Sequence, residues 1–311
     1  MNSMKEKYIS LTTTHEDIPI FMQPWWLDAV VENDAWDVIL IEEARTMSAC
    51  FVYMVKRKGP FKAVGMPGLT PFLGFWFGQA VDQSNAATQL MSMLPKNDKF
   101  YMQMNYEVFG TAFDEPVFKK EVLHTYVLSG IKDHDGTYAN FKQRIKGEIK
   151  KAQGQIQITE SSDVDGLYAL CQMSYERQAR KMDFSLELVR SIYHAVIENN
   201  SGVLLTAQDS EGNLHAGTLI VWDHDRAYYL LNGGNPTLRS SGANSLLIWE
   251  AIKQASKFTD KFDFEGSMIP GVEKYIQGYN PEKKQYALYT RTNSMLVGAA
   301  ENIKGALKRK S

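Results

Sequence analysis

The run Ala227-Tyr228-Tyr229-Leu230-Leu231-Asn232, followed after a short break by Arg239-Ser240-Ser241-Gly242-Ala243-Asn244, decides the fold. The first segment reads as a β-strand, dense in aromatic and branched residues. The second reads as a turn into a long helix from Ala243 to about Phe258, with Ile248, Ile252 and Ala255 inward. Two strand-like runs precede it, Val203 to Gln208 and Leu214 to Trp222. The turns Asp209-Ser210-Glu211-Gly212-Asn213 and Asp223-His224-Asp225-Arg226 make the three runs an antiparallel meander. Upstream, Gly154 to Thr159 alternates as a strand. Asp163 caps a helix with Leu167, Leu170 and Cys171 on one face, and Ser185 opens a second helix that Ser201-Gly202 stops. Downstream, Phe262-Asp263-Phe264-Glu265 is a strand, Pro270 opens a short helix, and Gln285 to Thr290 is a last strand. The order is β-α-α-β-β-β-α-β-α-β.

The first half of the chain shows this order in thinner form. Tyr8 to Leu11 reads as a strand and Pro24 to Glu32 as a helix. Strands follow at Asp37 to Glu43, Ser48 to Val55 and Phe61 to Met66, then a helix at Ala86 to Leu94. Strands at Phe100 to Tyr106 and Val122 to Leu128 close the half. One order appearing twice implies two copies of one unit, residues 1–130 and 131–311. The fold class expected is α/β (α+β): two tandem mixed-sheet domains packed around a common cleft. Between the halves, Phe141 to Ala152 reads as a helix. Lys142, Lys146 and Lys150 share one face and Phe141, Ile145, Ile149 and Ala152 another.

Composition narrows the function classes. The chain has 311 residues, 44% hydrophobic, with 34 Lys+Arg against 36 Asp+Glu. A formal net charge of −2 argues against coating DNA, while leaving room for a local basic groove. No stretch approaches the ~20 apolar residues of a membrane span, and the first twenty residues carry no apolar signal core. Cys50 and Cys171 stand apart with no histidine pair, so neither a zinc site nor a disulfide framework is expected, and a reducing cytoplasm is the expected location.

Arg239 to Asn244 sits after a strand at a helix start, where free backbone N–H groups and the positive end of the helix dipole suit a phosphate. Glycine at 242 permits close approach of a ligand to the backbone; small residues at a helix start also serve as ordinary caps. Set after a meander, Arg-x-x-Gly-x-Asn resembles the pyrophosphate loop of the GNAT N-acyltransferases. Arg239 and Gly242 match, and Asn244 stands where the family has Gly or Ala. Phe262 to Tyr275, with Ala243 to Ile252 before it, is similar to the Fem-like branch of that superfamily, whose members pair two GNAT-like domains. That branch continues as aromatic-Lys-x-x-Phe-Gly; this chain has Tyr275-Ile276-Gln277-Gly278-Tyr279-Asn280.

The resemblance implies an N-acyltransferase with no permanently bound cofactor. The donor is acyl-CoA or aminoacyl-tRNA, and the departures at Ile276 and Asn280 favour acyl-CoA. The acceptor is a small-molecule amine or a cell-wall precursor, with tRNA a further partner in the aminoacyl case. A non-catalytic binding module is the alternative. Arg239, Ser241, Gly242, Ala243 and Asn244 are then the donor loop, and N–H groups near Leu231 the oxyanion hole if the strand splays. Acyl transfer to an amine needs a base, oxyanion donors and an acid for the leaving group. Glu265 at a strand end is the candidate base, and Tyr275 and Tyr279 are candidate acids or core aromatics. Lys142, Arg144 and Lys146 form a phosphate-binding wall or a solvated helix face. Trp76, within the glycine- and proline-rich run 65–78, is expected to line an acceptor cleft. His215 reads as a packed histidine, and a Ser-His-Asp arrangement is set aside for want of a Gly-x-Ser-x-Gly elbow.

Overall fold

A computed structural model describes residues 4–31, 35–43, 46–111, 118–266 and 268–295. In chain order it begins with α1 (Met4–Thr12), α2 (Pro24–Val30), β1 (Trp36–Glu43), β2 (Thr46–Lys58), β3 (Phe61–Gly65) and β4 (Gly74–Phe77). Next come α3 (Gln83–Ser92), β5 (Lys99–Met104), β6 (Lys119–Ser129), α4 (His134–Asn140), α5 (Gln143–Ala152) and β7 (Ile156–Glu160). Then α6 (Val164–Arg177), α7 (Leu186–Glu198), β8 (Gly202–Asp209), β9 (Leu214–Trp222), β10 (Ala227–Gly234) and α8 (Ala243–Ala255) follow. The chain ends with β11 (Lys261–Asp263), α9 (Pro270–Ile276) and β12 (Glu282–Thr292).

The chain forms two compact units, residues 1–123 with 285–311, and residues 124–284. In unit 1 the strands run β1-β2-β3-β5-β12, with β4 also paired to β2. Two expectations change here. Tyr8 to Leu11 is helical, within α1, and the Tyr8 ring is buried with its hydroxyl donating to Met22 O at 2.7 Å. A helix with one apolar contact presents the same short Tyr-Ile-x-Leu pattern as a strand. The last strand, expected to close the second domain at 131–311, instead pairs antiparallel with β5, Ala287 opposite Met104, and so belongs to unit 1.

Unit 2 has the strand order β6-β11-β10-β9-β8-β7. The caps act as expected: Asp163 accepts from Gly166 N at 2.8 Å and Ser185 from Leu188 N at 3.2 Å. α8 buries Leu246, Leu247, Ile248, Ala251, Ile252 and Ala255. On it packs α5, through Ile145, Ile149 and Ala152, each wholly buried. Each isoleucine so buried contributes about 1.5–3 kcal/mol. That contact brings α5 to the beginning of α8.

Candidate functional site

β10 pairs with β9 from Ala227 opposite Trp222 to Gly234 opposite Ala216, with a register shift between Tyr228 and Leu231. On its other edge β11 pairs with it only at Ala227 and Tyr228. From Tyr229 onward β10 has lost β11, and the bulge turns the strand at the same place. The two strands therefore splay beside Leu231. The Leu231 side chain is buried, and its carbonyl accepts from the Thr218 hydroxyl at 2.8 Å.

The loop after β10 is a 3-10 turn, Pro236–Ser241, which leaves Arg239 exposed. Gly242 follows with φ +80°, and a Cβ there would fall within 3.0 Å of Glu148 O. Left-handed backbone and a neighbouring helix together demand glycine, so the α5 contact is by itself a sufficient reason for glycine here. Ser241 Oγ accepts from Ala243 N at 3.2 Å and meets His215 Nδ1 at 2.9 Å, while His215 Nε2 lies 3.1 Å from Asp209 Oδ2. The Ser-His-Asp row set aside on sequence is thus present in space. Each member has a structural duty: Asp209 also accepts from Glu211 N and Asn213 N and so shapes the β8–β9 turn, and Ser241 caps the helix. Hydrogen bonds from Asn213 and His215 hold the Asp209 carboxyl well below its usual range.

At the first turn of α8 the predicted residues Asn244, Tyr275 and Tyr279 converge. Tyr275 OH receives Asn244 Nδ2 at 3.1 Å, lies 2.7 Å from Ser245 Oγ and 3.2 Å from Tyr279 OH. Ser245 donates to Glu148 Oε2 at 2.5 Å, and Arg144 approaches Glu148 Oε1 at 3.6 Å and the Tyr275 ring at 5.6 Å. The row Tyr279–Tyr275–Ser245 therefore ends on a carboxylate seated at a helix N-terminus. Burial raises both tyrosine hydroxyls, Tyr279 the more, with its neighbour Tyr275 adding to the shift. Asn280, where the family pattern has glycine, takes φ +59°, a conformation asparagine tolerates better than most residues. Ile276, in place of the basic residue, is buried in the core.

Glu265 stands apart. Side chains alternate along β10 and β11, so Tyr229, Phe262 and Phe264 face the α5–α8 core while Tyr228 and Asp263 face the other side. Glu265 has φ +60°, and its N–H donates to Asp263 Oδ1 at 2.9 Å. Asp263 also accepts from Thr125 Oγ1 at 2.5 Å. Burial pushes the Asp263 carboxyl up to about 6 and, with Asp263 beside it, lifts Glu265 well above its ordinary range; Arg226, wholly buried, opposes both shifts. A carboxylate whose affinity for a proton is raised is a stronger base than an ordinary one. No hydrogen bond joins Glu265 to either tyrosine among the described residues.

Of the remaining predicted residues, Trp76 is placed otherwise than expected, while the basic face of α5 stays on the surface. Trp76 lies on β4 opposite Cys50, 6% exposed and edge-on to His15 at 5.2 Å, so it packs the core of unit 1 where a cleft-lining residue was expected. The run 65–78 looked irregular because prolines and glycines flank a strand only four residues long. Lys146 donates to Ala139 O at 2.6 Å, and Lys142 is exposed at the start of α5. Sequence reasoning missed Glu148, Ser245, Asp263, Arg226 and Tyr229 as site residues. Glu148 carried one local signal, its i,i+4 spacing from Arg144. Among the described residues no group of three or more His, Cys, Asp or Glu is arranged to hold a metal, and no helix is long and apolar enough to cross a membrane.

Residues 139–276 match the family model described as an acetyltransferase (GNAT) domain. No curated protein matches the chain. Among solved structures, that of FemX superposes with a TM-score of 0.71 at 12% identity, covering 92% of this chain and 96% of its own. The C-terminal domain of a putative lysylphosphatidylglycerol synthetase from Agrobacterium fabrum gives 0.55 at 9% identity, covering 97% and 96%. A tandem GNAT protein from the clavulanic acid biosynthesis pathway gives 0.52 at 8% identity, covering 93% and 94%. Residues 139–276 thus carry a domain of the GNAT acetyltransferase type. Over the whole chain the fold is that of FemX and of the tandem GNAT protein.

Proposed function

We propose that the protein transfers an aminoacyl group from an activated ester, an aminoacyl-tRNA in kind, to an amine acceptor by direct attack. The observation that carries the choice of donor is the carboxylate of Glu148. It sits at the first turn of α8, bonded to Ser245, while the α5 backbone covers Gly242. Lys151 Nζ closes on Ser240 O at 2.6 Å from the same helix. A carboxylate of the chain itself held beside the helix N-terminus opposes a second anion there, which makes that turn a poor receptor for the pyrophosphate of CoA. Sequence alone favoured acyl-CoA. That second reading keeps one support, the exposed Arg239 beside the loop. The larger likeness to FemX than to a tandem acetyltransferase-type protein supports the aminoacyl reading at the level of fold.

In this mechanism the donor lies where β10 and β11 separate. The acceptor nitrogen attacks the ester carbon, forming the C–N bond. N–H groups near Leu231 hold the oxyanion. The nitrogen's proton passes to Glu265, directly or through one water, and Tyr275 gives its proton to the leaving ribose oxygen as the C–O bond breaks. With a thioester the same proton would meet sulfur. Tyr279 orients Tyr275, and Asn244 and Ser245 fix its hydroxyl. Lys142 and Arg144 at the start of α5 would meet phosphates of the donor.

The test offers purified protein radiolabelled aminoacyl-tRNA and radiolabelled acetyl-CoA in turn, each with a panel of amines including cell-wall precursors. Label should pass from the ester and not from the thioester. A midpoint of thermal unfolding raised by CoA in a saturable way, with acetyl transfer and no aminoacyl transfer, overturns the donor choice.

A further inference from the structure

β10 carries two adjacent buried tyrosines with opposite accounts of their hydroxyls. Tyr228 donates to Asp223 Oδ2 at 3.1 Å. Tyr229, 6% exposed, has a buried hydroxyl that lies near the Thr218 hydroxyl but makes no hydrogen bond of ordinary geometry among the described residues. The neighbouring Thr218 spends its own proton on Leu231 O. A buried hydroxyl without a partner is a cost, and native structures rarely keep one without a use. Phenylalanine fills the same space and avoids that cost.

Its place in the fold suggests the use. Tyr228 is the last residue of β10 opposite β11, so Tyr229 is the first residue past the point where the strands part. It lies within the β10 bulge, two residues before Leu231. Its ring rests against Phe262 at 6.1 Å and Phe264 at 6.5 Å, and the charge of an ionised Tyr275 would be felt at its hydroxyl. The orphan donor, the bulge and the Tyr275 hydroxyl row thus meet at one end of the gap between the strands.

We infer that Tyr229 is a ligand-contacting residue whose hydroxyl donates a hydrogen bond to the acyl oxygen of the bound donor, an ester or thioester carbonyl, and follows it as it becomes the oxyanion. This rests on the acyl-transfer reading of the same site. Tyr229 then supplies a side-chain donor to an oxyanion hole otherwise made of backbone N–H groups.

Tyr229→Phe tests this, because it removes the hydroxyl and nothing else. Steady-state transfer and thermal unfolding are measured together, with Tyr228→Phe as the stability comparison. Expected for Tyr229→Phe is a kcat lower by about 10²-fold, the size of loss on removing one oxyanion donor. The KM for the amine should not change, and the unfolding midpoint should be equal to or above that of the wild type. Tyr228→Phe, which breaks a satisfied bond, should unfold earlier. An unaltered kcat in Tyr229→Phe overturns the role while leaving acyl transfer standing. So does a fall in midpoint like that of Tyr228→Phe, which would mean the hydroxyl holds a structural water. If the wild type transfers no acyl group from either donor class, the transfer reading fails, and the role of Tyr229 with it.

Discussion

Gly242→Ala separates the two explanations for the glycine at the start of α8. The residue has φ +80°, where an alanine costs about 1 kcal/mol relative to glycine. The new Cβ would lie closer than 3.0 Å to Glu148 O, which is backbone and cannot rotate away. Relief requires α5 to move off α8, disturbing the fully buried Ile145 and Ile149, and overpacking of that kind costs about 1–3 kcal/mol. The total is about 2–4 kcal/mol, or about 4–16 °C of unfolding midpoint for a domain of this size. Urea and thermal unfolding followed by circular dichroism measure it directly. A variant within about 0.5 kcal/mol of the wild type that has lost donor binding would refute the reasoning, because the glycine would then serve a phosphate and not the α5 contact.

Three further outcomes follow from the same geometry. The Asp263 carboxyl, raised from 3.8 to about 6 in the folded chain, favours its protonated form, so its contribution to stability falls as pH rises through 4 to 6. The full effect is about 3 kcal/mol. Asp263→Asn should match the wild type near pH 4 and exceed it at pH 7.5 in urea titrations, and a difference flat across that range would refute the assignment. Glu265→Gln should lower kcat about 10²–10⁴-fold and abolish the rise of rate with pH; a full rate at every pH removes the base. Asp209→Asn should loosen the Asp209–His215–Ser241 row and the β8–β9 turn and lower the unfolding midpoint, whereas loss of activity at unchanged stability would assign that row to chemistry instead.

The sequence by itself determined the local order of this protein. Residue alternation marked β9 at Leu214–Trp222, and capping residues marked the beginnings of α6 and α7, because each signal lies within a few residues of the element it specifies. It also marked Tyr275, Tyr279 and Asn244, which the fold does bring together. The tertiary structure decided the rest. Ser245 and Glu148 meet across 97 residues of chain, and Thr125 and Asp263 across 138, separations at which no periodicity carries information. Burial gave Asp263 and Glu265 their raised carboxyls and left the Tyr229 hydroxyl without a well-formed hydrogen bond among the described residues, and burial belongs to the packed sheet and helices, not to any residue alone. Trp76 shows the reverse case: an aromatic in a glycine-rich run reads as a ligand platform until β2 pairs with it and places it in the core. Local patterns are fixed by neighbours in the chain, whereas the electrostatics of a site are fixed by neighbours in space.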